Sequence, residues 1–243
     1  MHIYKNQGCS NAPETSWEES QKSLVQRVDE RAIMGEYPVN VQLQTISACN
    51  ATCEFCPYQG SWHHTHPGKM DDQLFKKIVE GLKSYSIRKF CPYLENEPLL
   101  DKDIFSKIRY VVQELNPKCV EISTNLSVLK ESMLEEIAQT FSDIPHEIRI
   151  SFHGHNKETY EEIMGLDFEK VMENIYKLVE LAQKHPLNIY INGAGMPKGE
   201  AKNKMKNWFT KEEYLAFWEG KFDNYENKPQ VVFAQVVVVE NRG

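Results

Sequence analysis

Three cysteines, Cys49, Cys53 and Cys56, stand close together in "CNATCEFCPY" with the spacing C-x3-C-x2-C. Thiolates are soft ligands that select zinc or iron–sulfur clusters. A closed structural zinc site takes four protein ligands, often as two C-x2-C pairs. Here one C-x2-C pair has a third cysteine upstream, and no second pair follows. Two readings stay open at this point. A histidine of "WHHTHPG" (His63, His64 or His66) completes a zinc set, as in a zinc-binding interaction module. Alternatively, three cysteines hold three irons of a [4Fe–4S] cluster and leave the fourth iron open. An open metal position is where substrate or cofactor chemistry takes place.

The rest of the composition narrows the class. The chain has 243 residues, with 28 basic and 35 acidic side chains, so its net charge is -7. A generic nucleic-acid surface needs the opposite excess, and none is expected. The hydrophobic content of 41% fits an ordinary globular protein. No apolar run is long enough for a bilayer, and the N-terminus lacks the apolar core of a secretory signal. A cytoplasmic protein is expected, with clustered cysteines acting as metal ligands or redox groups rather than as disulfides. Cys91 and Cys119 fall in strand-like segments, where a free thiol packs as a small hydrophobe.

The elements that must position the cysteines alternate along the chain. Residues 1–38 read as a polar leader and a helix from Ser16, and residues 39–243 as one α/β domain. Strand patterns occur at 41–47, 87–94, 119–124, 147–153, 187–193 and 230–239. Helical patterns occur at 70–82, with Leu74, Ile78 and Leu82 as its stripe, and at 103–115, 130–141, 167–183 and 210–220. The last begins with a Thr210/Glu213 capping box, and Phe209 and Tyr214 sit where a hydrophobic staple would be. Strict β–α alternation predicts a parallel sheet with right-handed crossovers. Six units are too few for the closed eight-stranded barrel. An open partial barrel or a doubly wound sheet places ligands at the carboxyl ends of the strands. The triple-cysteine loop follows the first strand and lies at that end.

Taken together, these residues resemble the radical S-adenosylmethionine (radical SAM) superfamily, whose signature is C-x3-C-x2-C after the first strand of a partial (β/α)6 barrel. Phe55 matches the aromatic residue that commonly precedes the third cysteine. "ENEPLL" is similar to the family's Gly-Gly-Glu-Pro turn through Glu97 and Pro98, with Glu95 and Asn96 replacing the glycines. "STNLSVL" is similar to the Ser/Thr-Asn-Gly segment through Ser123 and Asn125, with Leu126 in place of glycine. "ISFHG" is similar to Ser-x-Asp-Gly through Ser151 and Gly154, with His153 where an acid is common. "IYINGAG" resembles the adenine-lining strand. The resemblance covers roughly residues 40–240.

The resemblance implies that Cys49, Cys53 and Cys56 bind the [4Fe–4S] cluster. It implies that Phe55, Glu97, Ser123, Asn125 and Ser151 contribute to binding S-adenosylmethionine. Reductive cleavage to a 5′-deoxyadenosyl radical and hydrogen abstraction from a small-molecule or peptide substrate would follow, with a flavodoxin or ferredoxin-type electron donor. An adenosyl- or methyl-transferring relative is the alternative enzyme. His63, His64, His66, His153 and His155 are further candidates for substrate contact. No cysteine follows Cys119. The expectation is a minimal single-cluster enzyme or, preferred because no closing helix follows the last strand, a SPASM- or twitch-type member without its C-terminal extension.

Overall fold

The computed structural model describes residues 40–195 and 209–235. The expected leader and first helix, and the last residues of the sixth strand segment, lie outside them. Six strands are present: β1 Asn40–Gln42, β2 Lys89–Cys91, β3 Val120–Thr124, β4 His146–Ser151, β5 Ile189–Gly195 and β6 Gln230–Gln235. They lie in sequence order in one sheet, and every neighbouring pair is parallel. Among the described residues β1 and β6 do not pair, so the sheet stays open. This is the expected α/β partial barrel.

The crossovers are α1 Asp72–Leu82, α2 Ile104–Leu115, α3 Glu131–Phe141, α4 Lys157–Met164, α5 Phe168–Ala182 and α6 Lys211–Trp218. Polar caps fix where they begin. Asp71 accepts from the amides of Gln73 and Leu74 ahead of α1, and Asp167 accepts from Lys170 ahead of α5. The Thr210/Glu213 box forms as expected, and Phe209 stacks on Tyr214 with ring centroids 5.6 Å apart. The buried stripe of α1 is Phe75 and Val79, not the expected Leu74, which is 46% exposed. Helix α4, unexpected from periodicity, is bounded by an Asn156/Thr159 capping box and by Gly165 at φ 65°.

Side-chain alternation divides the sheet into two faces. Val41, Phe90, Val120, Ile122, Ile148, Ile150, Ile189 and Ile191 pack into the core with the helices. The pairing register puts Lys89, Glu121, Glu147, Arg149, Tyr190 and Asn192 on the opposite face. That face is charged and tightly paired. Arg149 Nη2 donates to Glu147 at 2.7 Å, and Lys89 Nζ donates to Glu121. The Tyr93 hydroxyl also donates to Glu121, and the Arg149 guanidinium lies 4.9 Å above the Tyr190 ring. Cys91 is buried here rather than in the apolar core, beside Glu121, Lys89 and Tyr93. Cys119 is disulfide-bonded, contrary to the expectation of a free thiol.

Candidate metal centre and cofactor site

The strand expected over 41–47 is short: β1 ends at Gln42, and the chain then loops across the carboxyl ends of the strands. The cysteine loop takes its shape from its own hydrogen bonds. The Cys56 amide donates to the Cys53 carbonyl at 3.0 Å. Gln59 Nε2 donates to the Ala51 carbonyl at 3.1 Å, and Pro57–Gly60 form a 3₁₀ turn that carries the chain away after Cys56.

The loop is also docked on α4. The Thr52 amide donates to Met164 O at 2.9 Å and the Glu54 amide to Ile163 O at 3.1 Å. A helix end leaves its last carbonyls unpaired, and here the two amides flanking Cys53 satisfy them. Gly165 makes the approach possible. A Cβ there would lie 1.9 Å from Thr52 Oγ1, and the backbone is left-handed.

Cys49, Cys53 and Cys56 face one another closely enough for their charges to interact. Burial pushes the Cys49 thiol up to about 11, with Glu97 and Cys56 adding to the effect. Burial pushes the Cys53 thiol up to about 12, with Cys56 and Cys49 adding to it. Yet among the described residues no three His, Cys, Asp or Glu side chains close around one point as a single metal ion requires. Three cysteines on one loop supply thiolates of the kind that hold an iron–sulfur cluster.

Glu97 braces the strand ends. Its amide donates to Ala48 O at 2.9 Å. Its carboxylate accepts from Leu99 N at 3.0 Å, Thr124 Oγ1 at 2.6 Å and Asn125 N at 2.7 Å. Burial nevertheless pushes its pKa up to about 7. The loops after β1, β2 and β3 therefore meet at one residue, the first through its backbone amide and the third through its carboxylate. A second brace joins Asn50 to Asn125 and Ser127. Asn125 Nδ2 donates to Asn50 Oδ1 at 3.1 Å, Asn50 Nδ2 to Ser127 Oγ at 2.7 Å, and Ser127 Oγ to Asn125 Oδ1 at 2.7 Å. Leu126, where the resemblance expects glycine, keeps a left-handed φ of 61°. Ser123 and Ser151 come together, their hydroxyls 3.3 Å apart, and Asn192 pairs in register with Ser151.

Phe55 meets the His153 ring edge-on at 4.9 Å. The Ala194 amide donates to His153 Nδ1 at 3.0 Å, which leaves the neutral ring's proton on Nε2. Burial pushes this histidine down to about 4, so it stays neutral at pH 7. His155 instead hydrogen-bonds at the start of α4. His63, His64 and His66 belong to one short helical turn, Trp62–Thr65, and its cap. There His66 stacks on Trp62 at 4.3 Å and His64 meets Tyr58 edge-on at 5.4 Å.

Sequence reasoning missed Asn50, Ser127, Asn192 and Tyr160. Asn50 and Ser127 each lie within two positions of a residue that it did identify. Asn96 Nδ2, Tyr160 Oη and Asn192 Oδ1 are buried without partners. Unpaired polar atoms at such a site are what a polar cofactor would satisfy.

A parallel, open β/α sheet with three cysteines on the loop at its carboxyl end defines an α/β protein with a thiol-rich candidate site. The particular family follows from comparison. The family model of the Radical SAM superfamily matches residues 43–203, and the chain belongs to that superfamily, whose members bind a [4Fe–4S] cluster and S-adenosylmethionine. The S-adenosyl-L-methionine-dependent 2-deoxy-scyllo-inosamine dehydrogenase of Niallia circulans is 28% identical over 138 residues, covering 54% of this chain and 53% of that protein. A protein of Methanococcus vannielii named "Probable GTP 3′,8-cyclase" is 27% identical over 140 residues, covering 58% and 45%. The chain thus spans about half the length of these curated relatives. Among solved structures, Streptococcus suis SuiB bound to precursor peptide SuiA aligns with a TM-score of 0.58 at 14% identity, covering 96% of this chain and 57% of that one. Native anSMEcpe with bound AdoMet aligns with a TM-score of 0.59 at 18% identity, covering 82% and 52%. These likenesses show the fold. No helix among the described residues is long and apolar enough to cross a membrane.

Proposed function

We propose that this chain is the catalytic core of a radical SAM enzyme that abstracts hydrogen from a small-molecule or peptide substrate. The observation that carries the reading is the loop after β1, which gathers Cys49, Cys53 and Cys56 at the carboxyl end of the sheet within the stretch matched by the Radical SAM family model. When bound, the cluster supplies one electron for reductive cleavage of S-adenosylmethionine to a hydrogen-abstracting 5′-deoxyadenosyl radical. Cys49, Cys53 and Cys56 hold the cluster. Phe55, Ser123, Asn125 and Ser151 bound the place of S-adenosylmethionine. Glu97 keeps the three loops in register, so its contribution to cofactor binding is made through position. Neutral His153 offers an Nε2–H donor beside Phe55. The paired charges of the sheet's polar face support a hydrogen-bonding substrate, and a flavodoxin or ferredoxin-type protein serves as reductant.

Anaerobic reconstitution tests this reading. A brown protein with about four irons per chain that releases 5′-deoxyadenosine when given S-adenosylmethionine and dithionite supports it. A colourless protein holding one tight zinc overturns it.

A further inference from the structure

We infer that Asp101 is a positioning residue, whose buried carboxylate clasps both ends of the segment that carries Cys49, Cys53 and Cys56. The inference rests on the assignment of those cysteines as cluster ligands. The segment leaves and returns at one place. The Met70 amide donates to Thr45 O at 2.9 Å and the Ser47 amide to Gly68 O at 2.8 Å. An antiparallel bridge pairs Ile46 with Lys69, and the Gly68 amide donates to Ser47 Oγ at 2.8 Å. Residues 48–67 therefore form a noose with a closed base, and all three cysteines lie inside it. So short a two-stranded pairing is marginal in water by itself.

Asp101 and Thr45 are both buried at that base. From the outgoing end, Thr45 Oγ1 donates to Asp101 Oδ2 at 2.6 Å. From the returning end, Lys69 Nζ pairs with Asp101 Oδ1 at 3.0 Å. Buried Lys107 of α2 donates to Oδ2 at 2.8 Å, and the Asp103 amide donates to Oδ1 at 3.2 Å. One carboxylate thus ties the two ends to each other and to the helix behind them. Asp101 also closes the 3₁₀ turn Pro98–Leu100 that Glu97 opens, and the Glu97 amide holds Ala48 O. The turn after β2 therefore grips the noose twice, at its base and next to Cys49. Removing one member of a buried ion pair is costly, because its partner stays buried and unpaired. Thr45 and Lys107 would be left in that position.

Hydrogen exchange and iron release in the full chain, reconstituted anaerobically, test the clasp. In Asp101→Asn, residues 48–67 should exchange their amide hydrogens about tenfold faster, as expected for loss of one hydrogen bond to a charged group. Strands β3 and β4 should keep their wild-type protection, because the opening is local. The same variant should lose iron to a chelator about tenfold faster. Unchanged exchange over residues 48–67 overturns the inference, and so does protection lost evenly across the sheet, which a merely structural role would give. Should Asp101→Asn fail to fold, Thr45 decides the matter. Thr45→Val removes the hydroxyl at nearly constant shape, and Thr45→Ser keeps it. Valine should speed exchange and iron release, serine should restore both, and equal behaviour of the two overturns the inference. Lys69→Met should act in the same direction but more weakly, since that side chain is 39% exposed, and wild-type rates there overturn the two-ended clasp. A wild-type chain that takes up no iron removes the ligand assignment itself.

Discussion

Asn174 on α5 donates from Nδ2 to the carbonyl of Leu126 at 2.9 Å, and both residues are buried. The bond holds Leu126 in the left-handed region, at φ 61°, where the chain leaves β3. An L-residue there costs roughly 1–2 kcal/mol. The turn that glycine makes freely is here made by leucine, and the side chain joins the core.

This gives an inverted ranking of two truncations. Leu126→Ala loses apolar packing, about 2–5 kcal/mol, and keeps the strain. Leu126→Gly loses the packing but releases about 1 kcal/mol of strain. Urea unfolding should place the glycine variant about 1 kcal/mol above the alanine variant, with both below wild type. Alanine ranking higher would mean that the left-handed backbone stores little strain.

Gly165→Ala should loosen the cysteine loop. The new Cβ meets Thr52 Oγ1 at 1.9 Å in a left-handed backbone, so α4 and the loop have to separate. Iron retained after anaerobic reconstitution should fall well below wild type, alongside a lower melting temperature. Full iron at wild-type stability would show that the docking is dispensable.

Cluster assembly should release protons. Burial holds the Cys49 and Cys53 thiols at about 11 and about 12, so both are protonated at pH 8, while iron binds thiolates. Iron affinity should therefore rise with pH across the neutral and mildly alkaline range. Dye-monitored proton release in weak buffer checks this. Cys53→Ala should assemble no [4Fe–4S] cluster, as read by its visible and EPR spectra.

Glu97 should tilt stability against pH. Its folded value, about 7, lies above the ordinary 4.5. Between those values the folded state keeps a proton that the unfolded state has lost, so stability falls as pH rises through the window and levels off above it. The loss is on the order of 3 kcal/mol. Glu97→Gln should flatten this slope. It should also lower stability overall, because its NH₂ would face one of three donors. Equal slopes in the two proteins would show that Glu97 does not titrate in this range.

The sheet was legible because its strands are apolar segments separated by helices of ordinary length. The cysteine loop was legible because thiol spacing is chemically narrow. Helix α4 was not. Its apolar residues Tyr160, Ile163 and Met164 cover barely one turn, and its start is marked only by the Asn156/Thr159 box. The orientation of α1 was misread by one position, because Leu74 and Phe75 both suit an amphipathic pattern and only packing chooses Phe75. Glu97 was identified as a site residue, but its bracing role depends on Thr124 and Asn125, which only the fold brings to it. The pairing of Lys89, Glu121, Glu147 and Arg149 needs a strand register that no single segment encodes.

The hydrogen bonds from Thr52 and Glu54 to the end of α4 link parts of the chain more than a hundred residues apart. On a ribosome the three thiols would emerge long before the helix that seats them. Until residue 165 is free of the exit tunnel, the cysteine segment lacks this half of its mould. Metal delivery to the nascent chain would therefore meet an unshaped loop, and loading should be an event of the finished domain.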